Sequence, residues 1–173
     1  MQRITLITGG ARSGKSAYAL MLASERPGVR RVYVATGEPS DEEMAARIAR
    51  HQAERPAEFA TIEEPVQLSG AVQSVRGTAE VVVIDSLTLW VSNLMQICPA
   101  EETFRQECLT LARVLAEAPF ESIVVTDEVG SGIVPDNAVA RRFRDMLGLA
   151  NQCIARSATE VLLMVAGLPL KVK

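Results

Sequence analysis

Runs of four or five apolar, mostly β-branched residues recur along the chain at 4–8, 32–35, 81–84, 123–126 and 161–165. Their apolar character is continuous rather than alternating, as a strand requires when helices cover both of its faces. Between these runs lie longer stretches of helical character at 15–25, 41–54, 66–75, 87–96, 101–117 and 137–156. Each gap is long enough for a crossover helix, so the pattern predicts an α/β fold with a mostly parallel central sheet flanked by helices. Ser40 followed by Glu43 reads as a capping box for 41–54, and Pro65 and Pro135 fit helix-start signals. The segment 130–137, with two glycines and a proline, reads as an ordered loop near the carboxyl edge of the sheet. No repeat, low-complexity tract or linker interrupts the 173 residues, a length that suits one domain, 1–173.

Composition narrows the function more than the fold. At 48% hydrophobic and 23% charged residues the chain is far from disordered composition. Its formal charge is −3, and lysine stands only at 15, 171 and 173, so no basic footprint exists for a long nucleic acid. Cys98, Cys108 and Cys153 form no CxxC pair and are accompanied by one histidine, too few ligands for a zinc shell. They read as buried reduced thiols. The first apolar run breaks at Gly9-Gly10, too short for a signal segment or a membrane span, which places the protein in the cytoplasm.

The chemistry begins directly after the first predicted strand. Gly9-Gly10-Ala11-Arg12-Ser13-Gly14-Lys15-Ser16 matches GxxxxGK[ST] between a strand and a helix, the context that defines a phosphate-binding P-loop. The glycines let backbone amides turn around phosphate oxygens, Lys15 reaches the β- and γ-phosphates, and Ser16 can ligate Mg²⁺. Asp85 ends the 81–84 run as a further Mg²⁺ ligand, although an Asp there can equally cap the helix that follows. Asp127 and Glu128 reach the same edge after 123–126, with a catalytic and a structural role both open. His51, the lone imidazole, shares a helical stripe with Arg47 and Arg55, and Met44 and Ile48 lie on a neighbouring one. Two guanidiniums beside a neutral imidazole would suit a phosphate under attack by the ring nitrogen, and a half-buried structural histidine is the plainer alternative.

Taken together these segments resemble the bifunctional adenosylcobinamide kinase and adenosylcobinamide-phosphate guanylyltransferase family of cobalamin biosynthesis. The resemblance covers essentially the whole chain, through ITGGARSGKS at 7–16, YVATG at 33–37, DEEMAARIARHQAERP at 41–56, Asp85, TDEVGSGIVP at 126–135 and RRFRDMLGLANQ at 141–152. It implies a RecA-like P-loop NTPase fold, ATP and GTP as substrates, Mg²⁺, adenosylcobinamide and its phosphate as acceptors, and a homotrimer. In the family the histidine of RIxxH becomes guanylylated, a position held here by His51. The resemblance also makes Ala35, Thr36, Gly37, Gln52, Ala53, Glu54, Arg55, Glu63 and Asp85 nucleotide contacts. Two departures matter. Asp127 stands where the family pattern has an amide, and Arg50 beside His51 would favour the neutral ring. The alternatives are a plain P-loop small-molecule kinase with a structural His51, and a nucleotide-dependent assembly module without turnover.

Overall fold

The computed structural model describes residues 3–173 except Arg26, Glu54 and Pro99. Seven strands, β1 (Ile4–Gly9), β2 (Arg31–Ala35), β3 (Phe59–Glu63), β4 (Val81–Asp85), β5 (Glu121–Val125), β6 (Glu160–Val165) and β7 (Leu168–Lys171), form one sheet. Its order is β3-β2-β4-β5-β1-β6-β7, and every pairing is parallel except β6 with β7. The helices are α1 (Lys15–Ser24), α2 (Glu42–Ala53), α3 (Leu68–Ser74), α4 (Leu87–Ile97), α5 (Glu101–Ala116) and α6 (Ala138–Ser157).

The continuous apolar runs are explained by two cores, one on each face of the sheet. Ile4, Leu6, Val32, Val34, Val82, Ile84 and Val124 point to one face, where they meet Leu68, Trp90, Leu94, Leu111 and Leu147 from α3 to α6. Ile7, Tyr33, Val81, Val83, Ile123 and Val125 point to the other, where Ala19 and Ala23 of α1 cover them. Successive residues of a strand face opposite sides, so both parities must be apolar. Trp90 is 1% exposed, and its indole N–H donates to the Val66 carbonyl at 2.9 Å, which satisfies its polar edge. Cys108 and Cys153 are buried free thiols and Cys98 is half-buried and free, in line with the reduced state expected. Burial pushes the Cys108 thiol up to about 12.

Several boundaries differ from the pattern-based reading, each for a local reason. Strands β3 and β7 were not among the predicted strands. The first exposes three of its five residues, and the second exposes every residue and carries Pro169, which an edge strand tolerates. A two-residue Ala166-Gly167 turn with positive φ at both positions joins β6 to β7. Helix α2 is capped by Asp41, whose Oδ1 accepts from Met44 N–H at 2.7 Å, rather than by Ser40. Pro65 and Pro135 precede their helices by more than one residue, because α3 starts at Leu68 and α6 is capped by the Asn137 side chain. Among the described residues no helix is long and apolar enough to cross a membrane.

Candidate active site

The carboxyl ends of β1, β2, β4 and β5 deliver the chemistry to one edge of the sheet, where open α/β sheets bind ligands. β1 runs into the loop 9–16, and α1 begins at Lys15 with Gly14 at its N-cap in the left-handed region, φ 94°. Glycine is required at two points of this turn. A Cβ on Gly9 would lie 2.6 Å from the Met164 carbonyl oxygen, and Gly14 adopts a φ that side chains rarely reach. The loop is braced from behind, since Gly167 N–H donates to the Ser13 carbonyl at 3.1 Å from the β6–β7 turn.

Lys15 is 8% exposed and its ammonium is gathered by protein oxygens. It donates to the Gly10 carbonyl at 2.7 Å and to Ser13 Oγ at 3.4 Å, and it pairs with Asp127 Oδ1 at 2.7 Å. Asp127 is fixed at both sides of its backbone. Its N–H donates to Thr88 Oγ1 at 2.8 Å, and its carbonyl accepts from Asn151 Nδ2 at 3.1 Å. The Thr126 hydroxyl completes the clasp by donating to Asn151 Oδ1 at 2.7 Å. Glu128 turns away to its own loop, where Oε1 accepts from Gly130 N–H. Arg141 donates to the Pro135 and Asp136 carbonyls and Arg144 to those of Gly130 and Gly132, so the segment after β5 is ordered as expected.

Asp85 is not a helix cap. Ser86 holds that role by accepting from Leu89 N–H, while Asp85 Oδ2 accepts from the Tyr33 hydroxyl at 2.7 Å. Burial, then the Asp85 charge and the hydrogen bond to it, drive the Tyr33 phenol far above its ordinary range, so it remains a donor. The Arg55 guanidinium lies over the Tyr33 ring at 4.2 Å, and its buried Nε has no hydrogen-bond partner among the described residues.

His51 belongs to the inward half of α2. Met44, Ile48 and His51 are its half-buried positions while Arg47 and Arg50 are exposed, and the helix buries no residue completely. The predicted stripe of Arg47, His51 and Arg55 is therefore divided: Arg47 faces outward, and Arg55 lies beyond the helix end and reaches the neighbourhood through Tyr33. Ser16, Ala17, Leu20, Tyr33, His51 and Pro56 line part of one cleft of ≈ 380 Å³ between α1 and α2. The lone imidazole and the hydroxyl that closes the P-loop thus share a cavity.

The remaining sequence-predicted contacts are placed less directly. Ala35 and Thr36 are buried, and the Thr36 hydroxyl donates to the Ser86 carbonyl and accepts from Ser86 N–H. Gly37 gives α2 and α4 room to approach, because a Cβ there would meet Leu89 at 3.2 Å and Ile48 at 3.4 Å. Gln52 donates to Glu63 at 2.8 Å at the exposed end of β3, and Ala53 is exposed. Gly10, Ala11 and Arg12 are exposed on the loop, and Glu54 lies outside the described residues. Four side chains that position the site, Tyr33, Thr88, Asn93 and Asn151, were not singled out as site residues; Tyr33 and Asn151 lie within the quoted segments 33–37 and 141–152, and Thr88 and Asn93 lie in none. Asn93 ties the ends of two strands by donating to the carbonyls of Thr36 and Pro65.

A P-loop between the first strand and first helix of a mostly parallel sheet, with two acidic strand ends at the same edge, defines a nucleotide-binding α/β protein of the P-loop class. Within that class the chain belongs to the cobinamide kinase / cobinamide phosphate guanyltransferase family, whose model matches residues 5–172. It is 41% identical over 168 residues to the bifunctional adenosylcobalamin biosynthesis protein CobP of Pseudomonas aeruginosa, covering 97% of this chain and 96% of that one. It is 37% identical to the CobU proteins of Escherichia coli and Salmonella typhimurium, each over 97% of this chain and 98% of theirs.

Proposed function

We propose that the protein phosphorylates adenosylcobinamide with ATP or GTP and then transfers GMP from GTP to adenosylcobinamide phosphate through a guanylylated His51. The observation that carries this reading is the cleft shared by Ser16 and His51, since a nucleotide held at the P-loop has the chain's one imidazole in the same cavity. In the kinase step the loop amides and Lys15 stabilise charge on the transferred γ-phosphoryl while the aminopropanol hydroxyl attacks phosphorus and loses its proton, the β–γ phosphoanhydride bond breaks, and the nucleoside diphosphate leaves. In the guanylyl step a nitrogen lone pair of neutral His51 attacks the α-phosphorus. An N–P bond forms, the α–β phosphoanhydride bond breaks, and pyrophosphate leaves. A phosphate oxygen of the corrinoid then displaces the imidazole, giving adenosylcobinamide-GDP and the free ring. Arg55, its guanidinium stacked on Tyr33 beside the cleft, suits an incoming phosphate.

Ser16, Asp85 and Asp127 present hard oxygen donors, which fit Mg²⁺ held jointly with phosphate oxygens better than in an all-protein cage. Among the described residues no cluster of three or more His, Cys, Asp or Glu could hold a metal alone. The ion would supply charge neutralisation of the phosphates. We place the protein in the cytoplasm as a single nucleotide-binding domain, 1–173, that assembles as a trimer.

Intact-protein mass spectrometry after incubation with GTP and Mg²⁺ tests the guanylyl step. A GMP adduct is expected on the unaltered protein and is expected to be absent from His51→Ala, with phosphorylation of adenosylcobinamide retained. An unmodified wild-type protein that still phosphorylates the corrinoid would leave only the kinase.

A further inference from the structure

The Lys15–Asp127 pair joins the P-loop lysine to a carboxylate at the end of β5. Its geometry is tight, at 2.7 Å with Lys15 at 8% and the Asp127 side chain at 27% exposure. Asp127 has little freedom to withdraw, because Thr88 holds its N–H and Asn151 its carbonyl. The carboxylate therefore sits where a P-loop lysine meets β- and γ-phosphate oxygens. A triphosphate that takes Lys15 must remove it from Asp127, and the two anions then face each other at a partly buried site where repulsion is poorly screened.

We propose that Asp127 is a resident counter-ion of the phosphate cradle that makes triphosphate binding conditional on a divalent cation. The proposal rests on the nucleotide-binding reading above. While the pair is intact Asp127 competes with phosphate for Lys15. Once a triphosphate claims the ammonium, a divalent cation bound with the nucleotide would supply the positive charge that offsets the repulsion. Ser16 and Asp85 alone impose no such condition, because neither is paired with the lysine that the phosphates need. Asp127 is thus a positioning residue for nucleotide binding, and an amide in its place would lack this dependence.

Equilibrium binding of a fluorescent GTP analogue, in EDTA and in Mg²⁺, tests this on the full chain. In EDTA, Asp127→Asn and Asp127→Ala should each bind at least about tenfold more tightly than the unaltered protein, a change of about 1.4 kcal/mol. Mg²⁺ should then improve the unaltered protein by a larger factor than either variant. Asn is nearly isosteric and the clasp by Thr88 and Asn151 uses only backbone atoms of residue 127, so the Asn variant carries the test if the Ala variant folds poorly. Binding with the same Mg²⁺-to-EDTA affinity ratio in the unaltered protein and the Asn variant overturns the counter-ion role and leaves the P-loop assignment standing. Failure of the unaltered protein to bind in Mg²⁺ overturns the nucleotide reading and this proposal together.

Discussion

At the residue scale, what was legible in the sequence is chemistry encoded by adjacency. The loop from Gly9 to Ser16 announces itself because a phosphate cradle needs its glycines, lysine and hydroxyl at fixed spacing in one turn. That Asp127 reaches the same edge was legible, but its pairing with Lys15 was not, because the pairing of β1 with β5 sets it and no local signal encodes that meeting. The same holds for Tyr33 and Asp85, joined across neighbouring strands whose register places Ala35 opposite Asp85. Lys15, whose motif points it at the phosphates, also holds the loop to the end of β5. Lys15→Ala is therefore expected to lower kcat/KM of both half-reactions by about 10²-fold or more through loss of phosphate stabilisation. It should also slightly lower thermal stability, since a partly buried carboxylate loses its partner. Steady-state kinetics beside a melting curve checks both, and unchanged kcat/KM would rule out the assigned role.

At the scale of elements, the strands that the apolar runs marked are those covered on both faces. Those that escaped notice, β3 and β7, lie at the two edges of the sheet, where half or more of each strand meets solvent and hydrophobicity no longer marks it. Helix α2 illustrates the converse. Its helical character was legible, but which way His51 faces depends on packing against the rest of the chain, with Met44 and Ile48 inward and Arg47 outward. Because α2 buries no residue fully, little besides its own hydrogen bonds holds it, and its Asp41 cap carries unusual weight. Asp41→Ala should cost the helix about 1 kcal/mol. Amides of α2 should then exchange with solvent about fivefold faster while those of β1 and β4 stay unchanged. Guanylylation of His51 should slow with phosphorylation intact. Uniform protection across α2 in both proteins would show that tertiary contacts, not the cap, hold the histidine in place.

At the scale of the whole molecule, function and acid stability occupy opposite edges of the sheet. The carboxyl edge gathers Lys15, Asp85, Asp127 and the cleft, whereas the amino edge carries a charged lattice across four strands. There Arg3, just before β1, reaches Glu160 of β6 at 2.8 Å and Glu121 of β5 at 3.4 Å, and Lys171 of β7 meets Glu160 at 3.5 Å. The hydrogen bond from Arg3, with smaller help from its charge and from Lys171, lowers Glu160 below the ordinary carboxylate value of 4.5. A carboxylate whose native value is depressed contributes stability that is complete above its unfolded value and disappears as pH falls through the native one. Glu160→Gln removes that contribution, so the variant should melt lower than the unaltered protein near pH 7 and converge with it in acid. Because Arg3 is 47% exposed, the gap at neutral pH should not exceed about 1 kcal/mol, or roughly 2–4 °C in Tm for a chain of this size. Nucleotide affinity should not change, since the site lies across the sheet. A melting gap that persists undiminished below the native value would assign the effect to packing around Glu160 rather than to its charge.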